Sequence, residues 1–116
     1  MKIGLKRAYD LPAGSDGSRL LVDRLWPRGV SKQRLRLDGW LRGLAPSDEL
    51  RRWFGHDPLK WEEFKRRYFR ELEACPEEVA ALRSRLEQGR VTLVYAASDE
   101  HYNNAVALKE YLELTA

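Results

Sequence analysis

A chain of 116 residues, 43% hydrophobic and 34% charged, has the size and balance of one globular domain spanning residues 1–116 and is too short for two. No apolar run approaches the roughly 20 residues that cross a bilayer, and the start Met1-Lys2-Ile3-Gly4-Leu5-Lys6-Arg7 lacks a signal-peptide apolar region, so no membrane role is expected and the expected location is the cytoplasm. One cysteine, Cys75, and two histidines exclude an internal disulfide framework and offer no zinc spacing; neither metal nor cofactor is expected.

The net charge of +3 is unevenly spread: residues 1–52 carry 12 Lys and Arg against 6 Asp and Glu, residues 53–116 carry 9 against 12. A basic front half favours anionic partners, but the overall excess is small and no nucleic-acid motif accompanies it.

Residues 3–9 alternate apolar and basic side chains, the pattern of a short strand at or near a sheet edge. Residues 10–18 hold Pro12, Gly14, Asp16 and Gly17 and read as a loop too short for a helical crossover. Strands one and two are therefore joined either as a hairpin or in parallel with a bare loop between them. Arg19-Leu20-Leu21-Val22 supplies a second strand of mostly aliphatic residues, suited to burial on both faces. It runs into Asp23-Arg24-Leu25-Trp26-Pro27-Arg28-Gly29, a turn that combines one carboxylate, two guanidinium groups and an indole. Two arginines four residues apart on a fixed turn suit bidentate capture of a phosphate or carboxylate.

Lys32, Arg34 and Arg36 then alternate with Gln33, Leu35 and Leu37, and Gly39 and Gly43 interrupt any continuous helix. Residues 31–35 read as loop or one turn and residues 38–44 as a third strand, with Trp40 and Leu44 in the core. Ser47 before Asp48-Glu49 caps a helix whose apolar face is Leu50, Trp53 and Phe54, and Gly55 closes it. Asp57-Pro58 starts a second helix, with Leu59, Trp61, Phe64, Tyr68 and Leu72 near one stripe. Pro76 starts a third, with Val79, Leu82 and Leu86 inward and Gly89 at its end. Cys75, just before Pro76, reads as a loop thiol.

Residues 90–97 give a central, twice-buried strand, followed by the polar turn Ser98-Asp99-Glu100-His101-Tyr102-Asn103-Asn104 and a closing helix through Ala105, Val106, Leu108 and Leu112. The fold expected is therefore α/β, a four-stranded, mainly parallel sheet with helices packed on it. In such sheets ligands collect at strand carboxyl ends, where the turns after residues 22 and 97 are expected to converge.

The strings Val22-Asp-Arg-Leu-Trp-Pro-Arg-Gly-Val30, Ala45-Pro-Ser47, Leu50-Arg-Arg-Trp-Phe-Gly-His56-Asp-Pro58, Trp61-Glu-Glu-Phe64, Arg67-Tyr68, Glu71-Leu72, Thr92-Leu-Val-Tyr-Ala-Ala97 and Asn103-Asn-Ala105 resemble the YeaO-like branch of the domain-of-unknown-function 488 family across nearly the whole chain. The resemblance implies a compact α/β domain with a mainly parallel sheet and supplies no activity. Other branches carry a cysteine at the end of the strand matching residues 91–97 and a Cys-His-Arg cluster on the next turn. Tyr95 and Asn103-Asn104-Ala105 stand at those places here, so thiol catalysis is not expected.

Three functional readings follow. The first is a domain that binds an anionic, phosphate- or carboxylate-bearing small molecule through Arg24, Trp26, Arg28, Ser98, Asn103, Asn104 and the loop after Ala97. The second is an enzyme acting on such a ligand, with His56 or His101 as general acid/base, Asp23 orienting it and Tyr95 as donor. The third is a nucleic-acid or protein interaction module using the basic segment 28–52, notably Lys32, Arg34, Arg36, Arg42, Arg51 and Arg52. A monomer or weak homodimer is expected, with Arg24 meeting the strand end at Tyr95.

Overall fold

The computed structural model describes residues 2–116. The described residues contain strands β1 (Ile3–Arg7), β2 (Ser18–Leu21), β3 (Gly39–Trp40) and β4 (Val91–Tyr95), which form one sheet in the order β1-β4-β2-β3. Every neighbouring pair is parallel. The mainly parallel expectation thus becomes an all-parallel sheet with helices packed on it. The most hydrophobic strand takes the centre: all five residues of β4 are buried, paired on one side with β1 (Ile3↔Val91) and on the other with β2 (Leu20↔Leu93). That position also decides the open question of strands one and two. They are not a hairpin, because β4 lies between them, and residues 8–17 cross over with a single 3-10 turn, Gly14–Asp16.

The two-residue period of the strands sorts their side chains between two unequal layers. On one face Ile3, Leu20, Val22, Val91, Leu93 and Tyr95 enter the main core beneath helices α2 (Asp48–Phe54), α3 (Trp61–Glu73), α4 (Pro76–Gln88) and α5 (Asn104–Leu114). On the other, Ala8, Leu21 and Val94 pack only with Val30, Leu35 and the single turn α1 (Lys32–Leu35), rimmed by Trp26, Leu37 and Trp40. The helix boundaries follow their chemistry. Ser47 accepts from the Leu50 amide at 3.1 Å, Gly55 closes α2 in the left-handed region at φ 53°, and Pro76 opens α4.

Three expectations are corrected. The third strand is Gly39–Trp40 rather than residues 38–44: the ladder ends where the Leu41 amide reaches the Leu21 carbonyl, and the chain turns through a 3-10 segment, Arg42–Leu44. The turn drops Leu44 into the main core and brings Gly43 so close to α4 that a Cβ there would lie 2.8 Å from the Glu78 carboxylate. Trp40 consequently stays half-buried on the thin layer instead of entering the main core. Leu59 is not on the core stripe but 95% exposed. The Asp57 carboxylate accepts from the Leu59 amide at 3.0 Å and starts one 3-10 turn, Pro58–Lys60, before α3 begins at Trp61. That tighter turn swings Leu59 out while Trp61, Phe64, Tyr68 and Leu72 remain buried.

At the amino-terminal end of the sheet the thin layer carries a buried ion cluster. The Asp16 carboxylate accepts from Arg19 (2.7 Å), Lys6 (3.0 Å) and the Ala13 amide (3.0 Å), and Arg19 spends its remaining donors on the Leu35 and Arg36 carbonyls. Burial pushes the Asp16 carboxyl up, but the Ala13, Lys6 and Arg19 donors outweigh it and hold it below the usual carboxylate range. A carboxyl depressed in the folded state contributes stability that is present above its unfolded value, about 3.9, and is lost as pH falls through the folded value. Asp16→Asn, which strips the buried Arg19 of its carboxylate, is therefore expected to cost about 3–5 kcal/mol at neutral pH. In denaturant titrations at a series of pH values, the difference from the parent should shrink as the pH drops below about 4.

Candidate functional site

Because all four strands run the same way, β1, β2 and β4 end at one edge of the sheet, and a cavity of about 590 Å³ opens there. Its polar wall is built from Arg7 at the end of β1, Asp23 and Arg24 after β2, Ala96, Ala97 and Ser98 after β4, Asn103 and Asn104 at the start of α5, and Arg51 and His56 from α2 and its exit. Trp26, Phe54 and Phe64 supply the apolar wall, with Tyr9, Leu25 and Pro46 completing the lining. Phe54 and Phe64 stack with centroids 4.3 Å apart.

The centre of the polar wall is Asp23. One carboxylate oxygen accepts from the Ala96 amide at 2.9 Å and the other from Asn104 Nδ2 at 3.1 Å, while that same Nδ2 donates to the Val22 carbonyl at 2.9 Å. These bonds join the ends of β2 and β4 to the first turn of α5. Burial raises the Asp23 carboxyl above the usual range, and the Ala96 and Asn104 bonds and the charges of His56 and Arg51 offset this only in part. The backbone of the turn is fixed from the other face: Trp40 donates its indole N–H to the Asp23 carbonyl at 2.7 Å, and Trp26 donates to the Val30 carbonyl at 2.6 Å. The two indoles meet edge-on at 5.5 Å.

The arginines are held from behind. Arg24 Nε and Nη2 each lie 3.3 Å from a carbonyl, those of Pro46 and Ala45, and Arg7 Nε donates to the Ala97 carbonyl at 2.9 Å. Arg24 and Arg51 approach the same Asp48 oxygen, at 3.9 and 3.3 Å. Gly55 and His56 adopt successive left-handed conformations, φ 53° and 58°, and the second places the exposed His56 on the wall.

The loop after Ala97 is organised around its own carboxylate. Asp99 accepts the amides of Tyr102 (3.0 Å) and His101 (2.8 Å), which hold its carboxyl below the usual range. Asn103 caps α5 with its side-chain oxygen on the Val106 amide and gives its Nδ2 to the Asp99 carbonyl. These groups bind the chain itself.

Of the side chains singled out in the sequence, Asp23, Arg24, Trp26, His56, Ser98, Asn103 and Asn104 line the cavity, and Arg28, Tyr95 and His101 do not. Arg28 is exposed beyond the turn, where only its carbonyl takes part, accepting from the Tyr9 hydroxyl at 3.1 Å. Tyr95 points into the main core, where burial pushes its hydroxyl up and keeps it protonated. No histidine nitrogen lies within 4.0 Å of a carboxylate oxygen among the described residues, and none of them form a group of three metal-ligating side chains. Cys75 sits between α3 and α4, with its sulfur 3.4 Å from the Glu71 carbonyl and away from the cavity. Arg7, Phe54 and Phe64 are wall residues that the sequence reading did not assign to a site. A parallel orientation for β1 would have brought Arg7 to the strand-end edge; the two phenylalanines are indistinguishable in sequence from core residues.

Fold and site together define an open α/β domain whose cleft lies at the carboxyl ends of a parallel sheet, with guanidinium groups and no thiol at that edge. The chain belongs to the inactive DUF488-N3 subclade, whose family model matches residues 2–116. It is 39% identical over 112 residues to the uncharacterized protein YeaO of Escherichia coli K12, covering 97% of each chain. It is 36% identical over 111 residues to the uncharacterized proteins Rv3073c of Mycobacterium tuberculosis H37Rv and Mb3100c of Mycobacterium bovis, covering 96% of this chain and 93% of theirs. No solved structure matches it significantly.

Asn104 is half-buried and ties the start of α5 to the exit of β2 through a single NH2 group, beside the Asp23 oxygen that accepts from Ala96. Asn104→Ala should lower the unfolding free energy by about 1–2 kcal/mol, because the Val22 carbonyl and the Asp23 carboxylate each lose a donor. Amide hydrogen exchange should quicken at Ala96 while the amides inside β4 stay protected; unchanged exchange at Ala96 would remove Asn104 from this joint.

Proposed function

We propose that this protein binds an anionic, phosphate- or carboxylate-bearing small molecule in the strand-end cavity and performs no thiol chemistry on it. The observation that carries the reading is the convergence of Arg7, Arg24 and Arg51 on a cavity of about 590 Å³ that contains one carboxylate, Asp23. The volume lies within the range typical of small-molecule sites, roughly 300–1,000 Å³. Guanidinium groups are the donors suited to planar anions. Arg24 and Arg51 carry the recognition here, in place of Arg28 and of loop amides already bonded to Asp99.

Acid–base catalysis by His56 receives less support than binding: His56 and Asp23 share the wall without a bond between them, and Tyr95, the intended donor, is buried elsewhere. The nucleic-acid reading has exposed Lys32, Arg34, Arg36 and Arg42 beside the thin layer, but Arg42 stacks on Trp40 at 4.0 Å, leaving no exposed indole as a base platform.

Native mass spectrometry of protein purified from cells and exchanged into low-salt volatile buffer tests the reading. A stoichiometric adduct is expected on the parent and is expected to be lost from Arg24→Ala/Arg51→Ala, with circular dichroism unchanged. A parent protein that is bare, and that inorganic phosphate, pyrophosphate and citrate fail to stabilise against heat, would overturn it.

A further inference from the structure

An acidic group accounts for the arginines of the cavity and for only part of its volume. At about 590 Å³ the cavity matches roughly twenty water molecules at about 30 Å³ each, far more than a phosphate or carboxylate head fills. The body of the ligand must therefore meet the rest of the lining. Phe54 and Phe64 stand behind that surface, 5% and 2% exposed, and offer the body almost nothing. Beside the arginines, the polar side chains that reach the cavity from the exits of β2 and β4 include Asp23 and Ser98.

Asp23 is half-buried and lines the cavity. One of its oxygens takes the Ala96 amide and the other Asn104 Nδ2; a carboxylate oxygen accepts two hydrogen bonds, so one site on each is unspent. An ionised carboxylate donates nothing, and only a donor on the ligand fills these sites. A neutral donor suits them better than a charged one. Arg7, Arg24 and Arg51 outnumber the single carboxylate of the cavity, so an ammonium would gain Asp23 at the cost of meeting three guanidinium groups. A hydroxyl gains the same acceptor without that repulsion. Asp23 does not demand a cation either, because the charges of Arg51 and His56 already act on it from beyond contact distance. Exposed Ser98 adds a hydroxyl that both donates and accepts.

We propose that the ligand of this cavity is a hydroxylated acid of the sugar-phosphate or sugar-acid kind. Its acidic group lies on Arg24 and Arg51, and its hydroxyl groups donate to Asp23, with Ser98 as a further partner. This rests on the anion-binding reading and adds to it a requirement for neutral donors on the body of the ligand. A hydroxyl that donates to an ionised carboxylate forms a charge-assisted bond, whereas an acid with a bare alkyl body covers the Asp23 oxygens and leaves them unpaired.

Isothermal titration of the parent protein with ribose 5-phosphate, pentyl phosphate, 5-aminopentyl phosphate, ribonate and pentanoate tests the proposal, because all carry a five-carbon body and differ in their polar groups. Ribose 5-phosphate is expected to bind about tenfold to a hundredfold more tightly than pentyl phosphate, or ribonate than pentanoate, and the pair that shows the preference identifies the acid. In Asp23→Asn, whose side-chain amide has fewer acceptor sites, the preference should shrink to within about threefold, while the alkyl acid binds no more weakly than to the parent. In Arg51→Ala both members of the pair should weaken together and keep their ratio. Alkyl acids that bind the parent as tightly as their hydroxylated counterparts would overturn the proposal while leaving the anion site standing. Tighter binding of 5-aminopentyl phosphate than of ribose 5-phosphate would overturn it in favour of a cationic group at Asp23. Absence of saturable binding by all five would also overturn it, and the retained adduct then judges the anion reading separately. The comparison of ligands on the parent decides the matter even if Asp23→Asn fails to fold.

Discussion

The Asp23 carboxylate holds the working edge of this molecule together. Parallel strands do not bond to one another beyond their ends, and each strand in such a sheet must leave it through a loop with unpaired backbone groups. Here one side chain takes the first free amide after β4 and the side chain that opens α5, while the amide group of Asn104 takes the last carbonyl before the β2 turn. Three segments distant in sequence, near residues 23, 96 and 104, are thereby fixed to one another, and the cavity they border takes its shape from that joint. The indole bonds from Trp26 and Trp40 hold the same turn from the opposite layer. Both faces of the turn are thus hydrogen-bonded to the fold.

Within that frame, the loop between β4 and α5 has the topology that elsewhere presents backbone amides to phosphate groups. In this chain it has been closed on itself. The Asp99 carboxylate occupies the amides of His101 and Tyr102, and Asn103 occupies the first turn of α5. Among the described residues, no cysteine lines the cavity, and the hydroxyl on the β4 side of its wall is that of exposed Ser98. The amides of that loop are thus spent within the chain.

The parts of this arrangement legible in the sequence are those dictated by local chemistry. Val91–Tyr95 declares itself a central strand by its β-branched, largely apolar run, and Ser47, Gly55 and Pro76 mark helix ends by capping rules that need no tertiary knowledge. The convergence of the turns at residues 23 and 98 follows from strand direction alone. Where tertiary contacts decide, the sequence is silent. Leu59 obeys the helical stripe by spacing, yet Asp57 imposes one tighter turn that rotates it into solvent. Residues 38–44 have the apolar content of a strand, yet Gly43 must pass within contact of Glu78 on α4, and the chain bends to do so. Arg28 and Arg24 are equivalent on paper, four residues apart on one turn; the fold directs only Arg24 to the cavity. Phe54 and Phe64 belong to core stripes and line the cavity as well, a dual role that periodicity does not reveal.

The tethering of the arginines has a consequence for recognition. A guanidinium group left free in solvent loses several rotatable bonds of entropy when a ligand immobilises it, at about 0.5–1.5 kcal/mol for each such side chain. Arg7 and Arg24 have lost that freedom on folding, because the Ala97, Ala45 and Pro46 carbonyls already orient their planes. Those bonds use one edge of each fork and leave the remaining N–H groups available. Arg51 is different: it is exposed, and only Asp48 restrains it. The cavity therefore combines two preset donors with one adaptable donor, opposite a carboxylate fixed by Ala96 and Asn104. On the proposed reading, the anion meets one preset donor, Arg24, and one adaptable donor, Arg51.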